Sequence, residues 1–455
     1  MQIGYKNMVD NKIAVIGSGI TGLTAAYSLK KNGCKVTLFE KNGEPGGAIK
    51  TVRNGEWLTE YGPNTLLIRD KRMIDLFLEL GLNAEIIQAN PDASKRFIVK
   101  NDELVPLPMS IMDAIRSPLF SLRGKLRLFK EPFLNANPNR DQSIAEFIER
   151  RLGKEILDYT INPFVAGIFA NRPENLSLRH TFPQMDQLEE RYGSLILGAI
   201  AGSRGLNRSE KVKRQLISFK NGIQTLPNRL ASSLDQIHYQ HKISSLANRG
   251  DKWFLVSNGE EFGPYENVII NVPLYQIGEI LDSLINHHYV FNREVSYPKL
   301  SVLYLGYKKG DIQHPLDGFG FLVPEIENSP ILGALFNSTL FEGRSPEDSH
   351  LLTVFVGGGR EPKLADMETG ELVRMVEKEL EKLIGLRGSH QFIDHVYWPK
   401  SIPAYHIGYD EVLNSMDQFE YQFPGLRIAG NFRKGVSVPD CMINGLKLAE
   451  TMTVR

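Results

Sequence analysis

The chain has 455 residues, with 53 Lys or Arg and 53 Asp or Glu, so its formal net charge is zero. Hydrophobic residues at 42% and charged residues at 23% are typical of a folded globular protein, and the length accommodates roughly two or three domains. The balanced charge argues against nucleic acid as a partner, and two cysteines are too few for a zinc finger, an iron–sulfur cluster or a disulfide scaffold, so we predict no metal site.

The first forty residues predict a strand–helix–strand unit. A β-branched run over residues 12–16 is followed by Gly17-Ser18-Gly19-Ile20-Thr21-Gly22, and helix formers continue over residues 23–31. A second strand is predicted over residues 35–39 and ends at Glu40. The first glycine permits a tight turn, the second lets the backbone approach a pyrophosphate, and the third lets the helix pack on the strand. This context predicts dinucleotide binding without separating NAD from FAD.

Further elements are predicted along the chain from the hydrophobic periodicity. Residues 106–185 are predicted to be mainly helical, and a capping box, Ser143-x-x-Glu146, begins one of these helices. Strands predominate again over residues 236–325. The other predicted elements are amphipathic helices over residues 73–80 and 371–384, a short strand over 427–428 and a closing helix over 441–452.

Three more glycine turns favour FAD. Residues 46–47 and 62–65 can present backbone N–H groups to a ligand. Near the C-terminus, Gly430-Asn431 and the segment 435–441 place a glycine turn beside the predicted start of the last helix. Such a helix end stabilises negative charge on the N1–C2=O edge of an isoalloxazine.

These motifs, in this order, resemble the superfamily of monoamine oxidases, phytoene desaturases and protoporphyrinogen oxidases. The resemblance covers essentially the whole chain, and it narrows to the oxygen-dependent protoporphyrinogen oxidase family. The stretches that narrow it are residues 60–64, 95–97, 167–170, 176–177, 194–200, 318–324, 402–405 and 435–441. Ser437 stands where many relatives carry a small apolar residue or glycine. The covalent attachment motif of flavin-linked amine oxidases is absent, so we expect non-covalent FAD and a buried structural thiol at Cys441.

The predicted fold class is α/β, with a discontinuous Rossmann-like FAD-binding domain, an α+β substrate domain and a helical insertion. We expect the FAD-binding domain over residues 1–69, 215–290 and 397–455. The substrate-binding domain is expected over residues 70–105 and 291–396. The helical insertion, for which membrane association is one alternative, is expected over residues 106–214.

The resemblance implies FAD contacts residue by residue. The glycine loop would hold the pyrophosphate, Glu40 the ribose, and the backbone of Ile243 the adenine. The expected FAD-binding residues are Gly17, Ser18, Gly19, Ile20, Thr21, Gly22, Glu40, Lys41, Gly47, Ala48, Gly62, Pro63, Asn64, Thr65, Ile243, Trp398, Gly430, Val436, Ser437 and Val438. For Ile243 and Trp398, an ordinary role in a strand or in the core stays open.

The resemblance also implies a porphyrinogen substrate, which is a large apolar macrocycle with peripheral carboxylates. The expected substrate-binding residues are Arg96, Ile168, Phe319, Gly320, Leu322 and Leu332. Arg96 would pair with a propionate, and the Gly320 carbonyl would face a pyrrole N–H. Core packing of the apolar residues and a plain surface role for Arg96 stay open as alternatives, and no side chain is predicted to be a general base.

The implied reaction removes six hydrogens from protoporphyrinogen IX to give protoporphyrin IX in haem biosynthesis. In each of three two-electron steps a saturated bridge carbon gives a hydride to the flavin and a pyrrole loses a proton, and molecular oxygen re-oxidises the flavin. Three alternatives stay open. The chain could oxidise coproporphyrinogen III to coproporphyrin III, act as another flavin oxidase on amines or polyenes, or bind flavin without catalysis.

A basic, apolar segment precedes the capping box. Residues 116–130 hold five basic and six apolar residues and no acidic one. Either the segment lies on an anionic bilayer with its apolar face inserted, or it forms a helical subdomain with a solvated basic face. No run of 18 apolar residues occurs, so a cytoplasmic location is expected, with peripheral contact at the inner face of the cell membrane under the first alternative. A homodimer and a haem-pathway enzyme partner also stay open.

Overall fold

A five-stranded parallel sheet, called the first sheet here, lies at the centre of the fold. The computed structural model describes residues 11–109, 111–135, 141–205, 212–282, 284 and 295–453. The strand order is Gln236–His238, Lys35–Phe39, Lys12–Ile16, Asn267–Ile270 and Leu426–Ile428. Residues 13–16 are buried, as expected for a central parallel strand that is covered on both faces.

Helices cover one face of the first sheet. Helix Ile20–Lys31 packs along helix Val438–Thr453, and helices Thr225–Ser232 and Lys71–Glu79 share their apolar core. Helices Leu274–Leu281 and Tyr409–Gln422 cover the opposite face. On that face they are joined by a three-stranded antiparallel sheet of Ile243–Arg249, Lys252–Ser257 and Glu260–Tyr265. These layers confirm the predicted α/β class.

A seven-stranded mixed sheet, called the second sheet here, forms the other layer. Its strand order is Phe392–Trp398, Leu300–Lys308, Ser349–Gly357, Ile331–Phe336, Gly318–Leu322, Lys95–Lys100 and Glu103–Pro106. Helix Thr369–Ile384 packs its apolar stripe on one face, with Leu372, Val376 and Leu380 fully buried. The opposite face carries Val302, Tyr304 and Leu332.

Residues 71–88 pack with the first sheet. Helix Lys71–Glu79 buries Met73, Leu76 and Phe77 in the same core as helix Ile20–Lys31. Strand Ile86–Gln88 pairs with Gln215–Phe219, which also pairs with Leu66–Ile68. In core packing, residues 71–88 therefore belong with the first sheet, whereas residues 70–105 were predicted to belong with the second. A separate hairpin joins Thr51–Asn54 to Trp57–Glu60.

The helical insertion is built around a buried guanidinium. Its helices are Ile111–Arg116, Leu122–Lys130, Ile144–Arg151, Lys154–Ile156, Asn162–Phe169, Leu178–Thr181, Pro183–Tyr192 and Leu195–Gly205. The fully buried Arg151 places its Nε 3.2 Å from a carboxylate oxygen of Glu131 and 3.2 Å from one of Glu189. Both hydrogen bonds of the predicted Ser143–Glu146 capping box form. Among the helices that the structure describes, none is long and apolar enough to cross a membrane.

Candidate active site

The glycine loop follows the central strand of the first sheet, as predicted. Gly17 has φ +95°, and a Cβ there would lie 2.3 Å from the backbone oxygen of Asn271. A Cβ on Gly22 would lie 2.7 Å from the Gly17 oxygen. Helix Ile20–Lys31 begins directly after Gly19, and no side chain caps its start. The loop therefore leaves the first amide groups of this helix available to a phosphate.

Asn271 holds this loop in place, and this role was not predicted from the sequence. Its Nδ2 donates to the backbone oxygens of Gly17 and Gly19, each at 3.2 Å. Both carbonyls therefore have a protein donor. An amide residue directly after the β-branched strand Asn267–Ile270 was the available sequence signal.

Glu40 lies beside the loop at the end of the second strand. Its carboxylate is 4% exposed and accepts hydrogen bonds from Ser18 N at 2.8 Å, Ser18 Oγ at 2.5 Å and Asn42 N at 2.9 Å. The two oxygens of a carboxylate can accept about four hydrogen bonds, and three are made here, so capacity remains for a ribose hydroxyl. The neighbouring Lys41 is exposed and donates to Gln276 Oε1 at 3.3 Å.

The next two glycine turns stack on the first. Gly46 N donates to Ser18 O at 2.9 Å, and a Cβ on Gly47 would lie 3.3 Å from the Gly19 Cα. A Cβ on Gly62 would lie 2.0 Å from the oxygen of Ala48, so these segments touch backbone to backbone. The structure thus brings together predicted cofactor residues that lie more than forty positions apart.

The segment 61–65 is anchored by two side chains at strand ends of the second sheet. Trp398 Nε1 donates to Tyr61 O at 3.2 Å, and Asn337 Nδ2 donates to Asn64 Oδ1 at 3.0 Å. Just before the segment, burial raises the pKa of the Glu60 carboxyl to about 7, although Thr51 and the backbone of Ile223 donate to it. Trp398 therefore holds the backbone of this segment and also belongs to an apolar cluster.

The last turn precedes helix Val438–Thr453. Ser437 caps this helix, since its Oγ accepts from Asp440 N at 3.2 Å. Val436 packs against the apolar clusters of both the first sheet and the helical insertion. Cys441 is buried, as predicted, and burial raises the pKa of its thiol to about 12, so the group is not a reactive thiolate. Ile243 is also buried, in the cluster with Ile16 and Phe39 at the adjoining strand ends.

Arg96 and Phe319 form one end of the expected substrate surface. The Arg96 guanidinium carbon lies 5.4 Å from the centre of the Phe319 ring, and Arg96 is the register partner of Gly320. The neighbouring Lys95 is paired with Asp317. Within the described part of the chain, no acidic side chain pairs with the exposed Arg96. Its charge is thus available to a ligand.

Two of the other expected substrate residues, Leu322 and Leu332, belong to a set of apolar side chains that we call the apolar wall. Its members are Leu322, Leu332, Phe355, Trp398 and Val436. Leu332 is buried and clusters with Trp398 and Phe355, whereas Leu322 clusters with Val436. Phe355, which lies opposite Gly333 in the second sheet, was not predicted from the sequence. The only signal for it was an aromatic residue in a strand.

Helix Asn162–Phe169 packs on the strands that carry the apolar wall. Its Ala166 packs in the Leu332 cluster, and Val165 and Phe169 pack in the Leu322 cluster. Ile168 on the same helix is 39% exposed. Phe319 lies apart from the wall, in a small cluster with Leu340 and Phe341. Arg96 and Phe319 therefore form a cationic end, and Leu322 and Leu332 belong to the apolar wall. Ile168 lies on the helix that packs beside this wall.

Comparisons with known proteins agree with this architecture. The pattern of the flavin containing amine oxidoreductase family matches residues 20–453. Protoporphyrinogen oxidase 2, chloroplastic/mitochondrial, of Arabidopsis thaliana is 36% identical over 96% of this chain and 93% of its own length. Coproporphyrinogen III oxidase of Bacillus subtilis is 28% identical over 96% of this chain and 97% of its own. A solved structure of reduced UDP-galactopyranose mutase superposes with a TM-score of 0.72 at 18% identity, covering 97% of this chain and 95% of that one.

Proposed function

The chain belongs to the flavin containing amine oxidoreductase family, and from that premise we propose an FAD-dependent oxidase that converts protoporphyrinogen IX to protoporphyrin IX with molecular oxygen as acceptor. The predicted family membership is confirmed, and the chain is a flavin-using oxidoreductase. One observation carries the substrate: Arg96, which pairs with no acidic side chain among the described residues, lies in the same sheet that supplies four of the five members of the apolar wall. A carboxylated apolar macrocycle needs both features.

The described residues fit FAD held without a covalent bond. The loop 17–22 and Glu40 would hold the pyrophosphate and ribose, and residues 46–48, 62–65 and 436–438 would surround the ring. When bound, the flavin would supply the two-electron acceptor for the reaction. The protein contributes orientation, exclusion of water by the apolar wall, and charge complementarity at Arg96. The buried, protonated Cys441 is unsuited to flavin attachment.

Other oxidase substrates fit this surface less well. An amine substrate is a cation and would be repelled by Arg96, whereas a polyene carries no carboxylate for Arg96 to bind. Coproporphyrinogen III has propionates where protoporphyrinogen IX has vinyl groups. Because Lys95 is already neutralised by Asp317, the described cationic end offers Arg96 alone, which favours the substrate with fewer carboxylates.

Replacing Arg96 by Ala is expected to raise the KM for protoporphyrinogen IX about 10- to 150-fold with little change in kcat. The reason is that a charged hydrogen-bonded pair contributes roughly 1.5–3 kcal/mol to binding and changes little during the reaction. Porphyrin fluorescence measures the rates with protoporphyrinogen and coproporphyrinogen side by side. Arg374→Ala is the control, since Arg374 is an exposed arginine of helix Thr369–Ile384 on the other face of the second sheet. An unchanged KM would remove Arg96 from the site, and faster turnover of coproporphyrinogen would reassign the substrate.

We also propose that the helical insertion docks on an anionic bilayer from the cytoplasmic side. Four exposed apolar side chains share one face of helix Leu122–Lys130 and the turn after it. They are Leu122, Leu126, Phe129 and Phe133, exposed by 74%, 54%, 65% and 86%. Arg123 and Lys130 are exposed beside them, which suits anionic lipid.

The inserted face is narrower than the sequence analysis expected. Leu119 is fully buried and Phe120 is 6% exposed, because both pack into the core of the insertion before the helix begins. Lys125 Nζ donates to Ser117 O, and an Arg127 Nη donates to Arg150 O, so both side chains are bound within the protein. Only part of the 116–130 segment therefore faces outward.

The double substitution Phe129→Ser and Phe133→Ser is expected to weaken binding to phosphatidylglycerol vesicles at least tenfold. Burial of a Phe side chain contributes roughly 1.5–3 kcal/mol, and two such groups are lost. Co-sedimentation with vesicles measures the partition. Tyr421→Ser, at a side chain that is 89% exposed on another helix, is the control. Wild-type protein that stays in the supernatant would contradict membrane docking. The sedimentation coefficient of the protein without vesicles would test for a homodimer, and the same measurement after addition of a haem-pathway enzyme would test for that partner.

A further inference from the structure

The turn between the last strand and the last helix has an unusual hydrogen-bond pattern. Each of the six consecutive backbone carbonyls from Gly430 to Gly435 accepts a hydrogen bond from the protein itself. Arg433 N donates to Gly430 O at 3.1 Å, and the hydroxyls of Tyr405 and Tyr409 donate to Asn431 O at 2.5 Å and to Phe432 O at 2.7 Å. Asn444 Nδ2 donates to Arg433 O at 3.0 Å and to Lys434 O at 3.3 Å. Cys441 Sγ donates to Gly435 O at 3.8 Å.

Tyr405 makes the central contact. Its hydroxyl donates to Asn431 O and also accepts from Gly435 N at 3.1 Å, so one phenol closes both ends of the turn. Tyr405 and Tyr409 are 2% and 1% exposed, and their ring centres lie 4.7 Å apart. Burial raises the pKa of both phenols well above the usual range, so both hydroxyls stay protonated and keep donating.

Other side chains prevent the turn from rotating. Phe432 is fully buried in the core on one face of the first sheet. The Arg433 guanidinium is paired with Glu420 and Asp417 and donates to Ile428 O. The peptide planes between these anchors therefore have fixed directions.

A fixed carbonyl direction also fixes the amide that follows it. In a trans peptide the N–H points opposite to the C=O, so the carbonyls of Asn431 and Arg433, held by Tyr405 and Asn444, turn the amides of Phe432 and Lys434 the other way. The two amides between them, Arg433 N and Gly435 N, donate within the protein to Gly430 O and to the Tyr405 hydroxyl. A ligand on that side meets donors and no acceptor. The electron-rich N1–C2=O edge of a flavin needs such a surface, especially when it is reduced and anionic.

We propose that Tyr405 is a positioning residue for the flavin. With Tyr409 and Asn444 it keeps the carbonyls of residues 431–435 away from the cofactor, so that the turn presents only donors. The proposal rests on the proposed flavin contact of residues 436–438. Loss of the Tyr405 hydroxyl frees Asn431 O and Gly435 N together, and a peptide that then rotates presents an acceptor to the flavin edge.

Tyr405→Phe tests this proposal, because it removes the hydroxyl and keeps the ring. We expect the FAD dissociation constant to rise about tenfold, in line with the loss of one or two buried hydrogen bonds. The affinity of the bound flavin for sulfite, followed by loss of its visible absorbance, should fall by a similar factor. Sulfite is a suitable probe because its adduct leaves negative charge on the flavin ring. Tyr409→Phe should shift both values in the same direction by less, since Tyr409 holds one carbonyl.

Tyr307→Phe is the matched control, because Tyr307 is a fully buried tyrosine that donates to Glu377 on the far face of the second sheet. It should lower Tm without changing either flavin measurement. If Tyr405→Phe lowers Tm as Tyr307→Phe does but keeps wild-type affinity for FAD and sulfite, the proposal is overturned. It is also overturned if the wild-type chain binds no FAD. A chain that binds FAD but oxidises no porphyrinogen refutes the proposed substrate and still reports on Tyr405.

Discussion

A Gly17→Ala chain is expected to fold but to be purified with less than about a tenth of the wild-type flavin. Its Cβ would lie 2.3 Å from the backbone oxygen of Asn271, and a backbone atom cannot turn aside as a side-chain end can. Asn271 directly follows strand Asn267–Ile270, which is held between two neighbouring strands of the first sheet. The loop must therefore move, and the proposed pyrophosphate contacts, which depend on its shape, would be weakened. The ratio of visible to ultraviolet absorbance measures flavin content, and far-UV circular dichroism checks the fold.

Gly33→Ala separates steric contact from backbone strain. Gly33 has φ +86°, close to the +95° of Gly17, but nothing lies within 4 Å of its Cβ position. The Gly33→Ala variant should lose about 1 kcal/mol of its free energy of unfolding and keep its flavin. Asn271→Ala supplies a second test without a clash, since it only releases Gly17 O and Gly19 O. A full complement of flavin in Gly17→Ala would show that this loop does not hold the cofactor.

The parts of the fold that local sequence determines were predicted closely. The strands over residues 12–16 and 35–39 have the predicted bounds, because β-branched runs end there at glycine or at an acidic residue. The last helix begins at Val438 rather than at residue 441, because Ser437 caps it and Pro439 is tolerated in a first turn. A capping hydroxyl three residues before an acidic residue was the sequence signal for this start.

Contacts between distant segments could not be predicted from the sequence. Asn271 holds a loop that lies 254 residues before it, and Phe355 joins the apolar wall only through the register with Gly333. Nothing local marks such residues, because strand pairing alone decides what each side chain meets. The glycines and Glu40 could be proposed as cofactor residues because a local motif marks them, whereas Asn271, which orients the glycine loop, carries no such motif.

Arg360 is another such residue, and it fixes the distance between helix Asn162–Phe169 and the second sheet. Its guanidinium donates to Val323 O at 2.6 Å, to Asn162 O at 3.2 Å and to Asn162 Oδ1 at 2.6 Å. Burial lowers its pKa to about 10, which still leaves it charged at neutral pH. Breaking a buried charged contact of this kind costs several kcal/mol, roughly 3–5. The helix is therefore held to the end of strand Gly318–Leu322.

With the helix held in this way, Gly167→Val is expected to lower kcat/KM for the porphyrinogen about 100-fold while flavin content stays at the wild-type level. A Cβ on Gly167 would lie 2.6 Å from Leu322 Cδ2. Because Arg360 prevents the helix from retreating, the Leu322 side chain must turn toward its exposed side, where the proposed macrocycle would lie. Steady-state rates from porphyrin fluorescence give kcat and KM, and a loss of this size corresponds to roughly 2.7 kcal/mol of transition-state binding.

Gly370→Val is the matched control for this last substitution. Gly370 is an exposed helical glycine whose Cβ position has only an Arg374 nitrogen nearby, at 3.8 Å. Both variants place a β-branched residue in a helix, so a helix-propensity effect would appear equally in the two. A loss of kcat/KM confined to Gly167→Val locates the effect at Leu322. Equal and small losses in both variants would show that the macrocycle does not bind along this part of the apolar wall, and the substrate surface would then have to lie nearer Phe319 and Arg96.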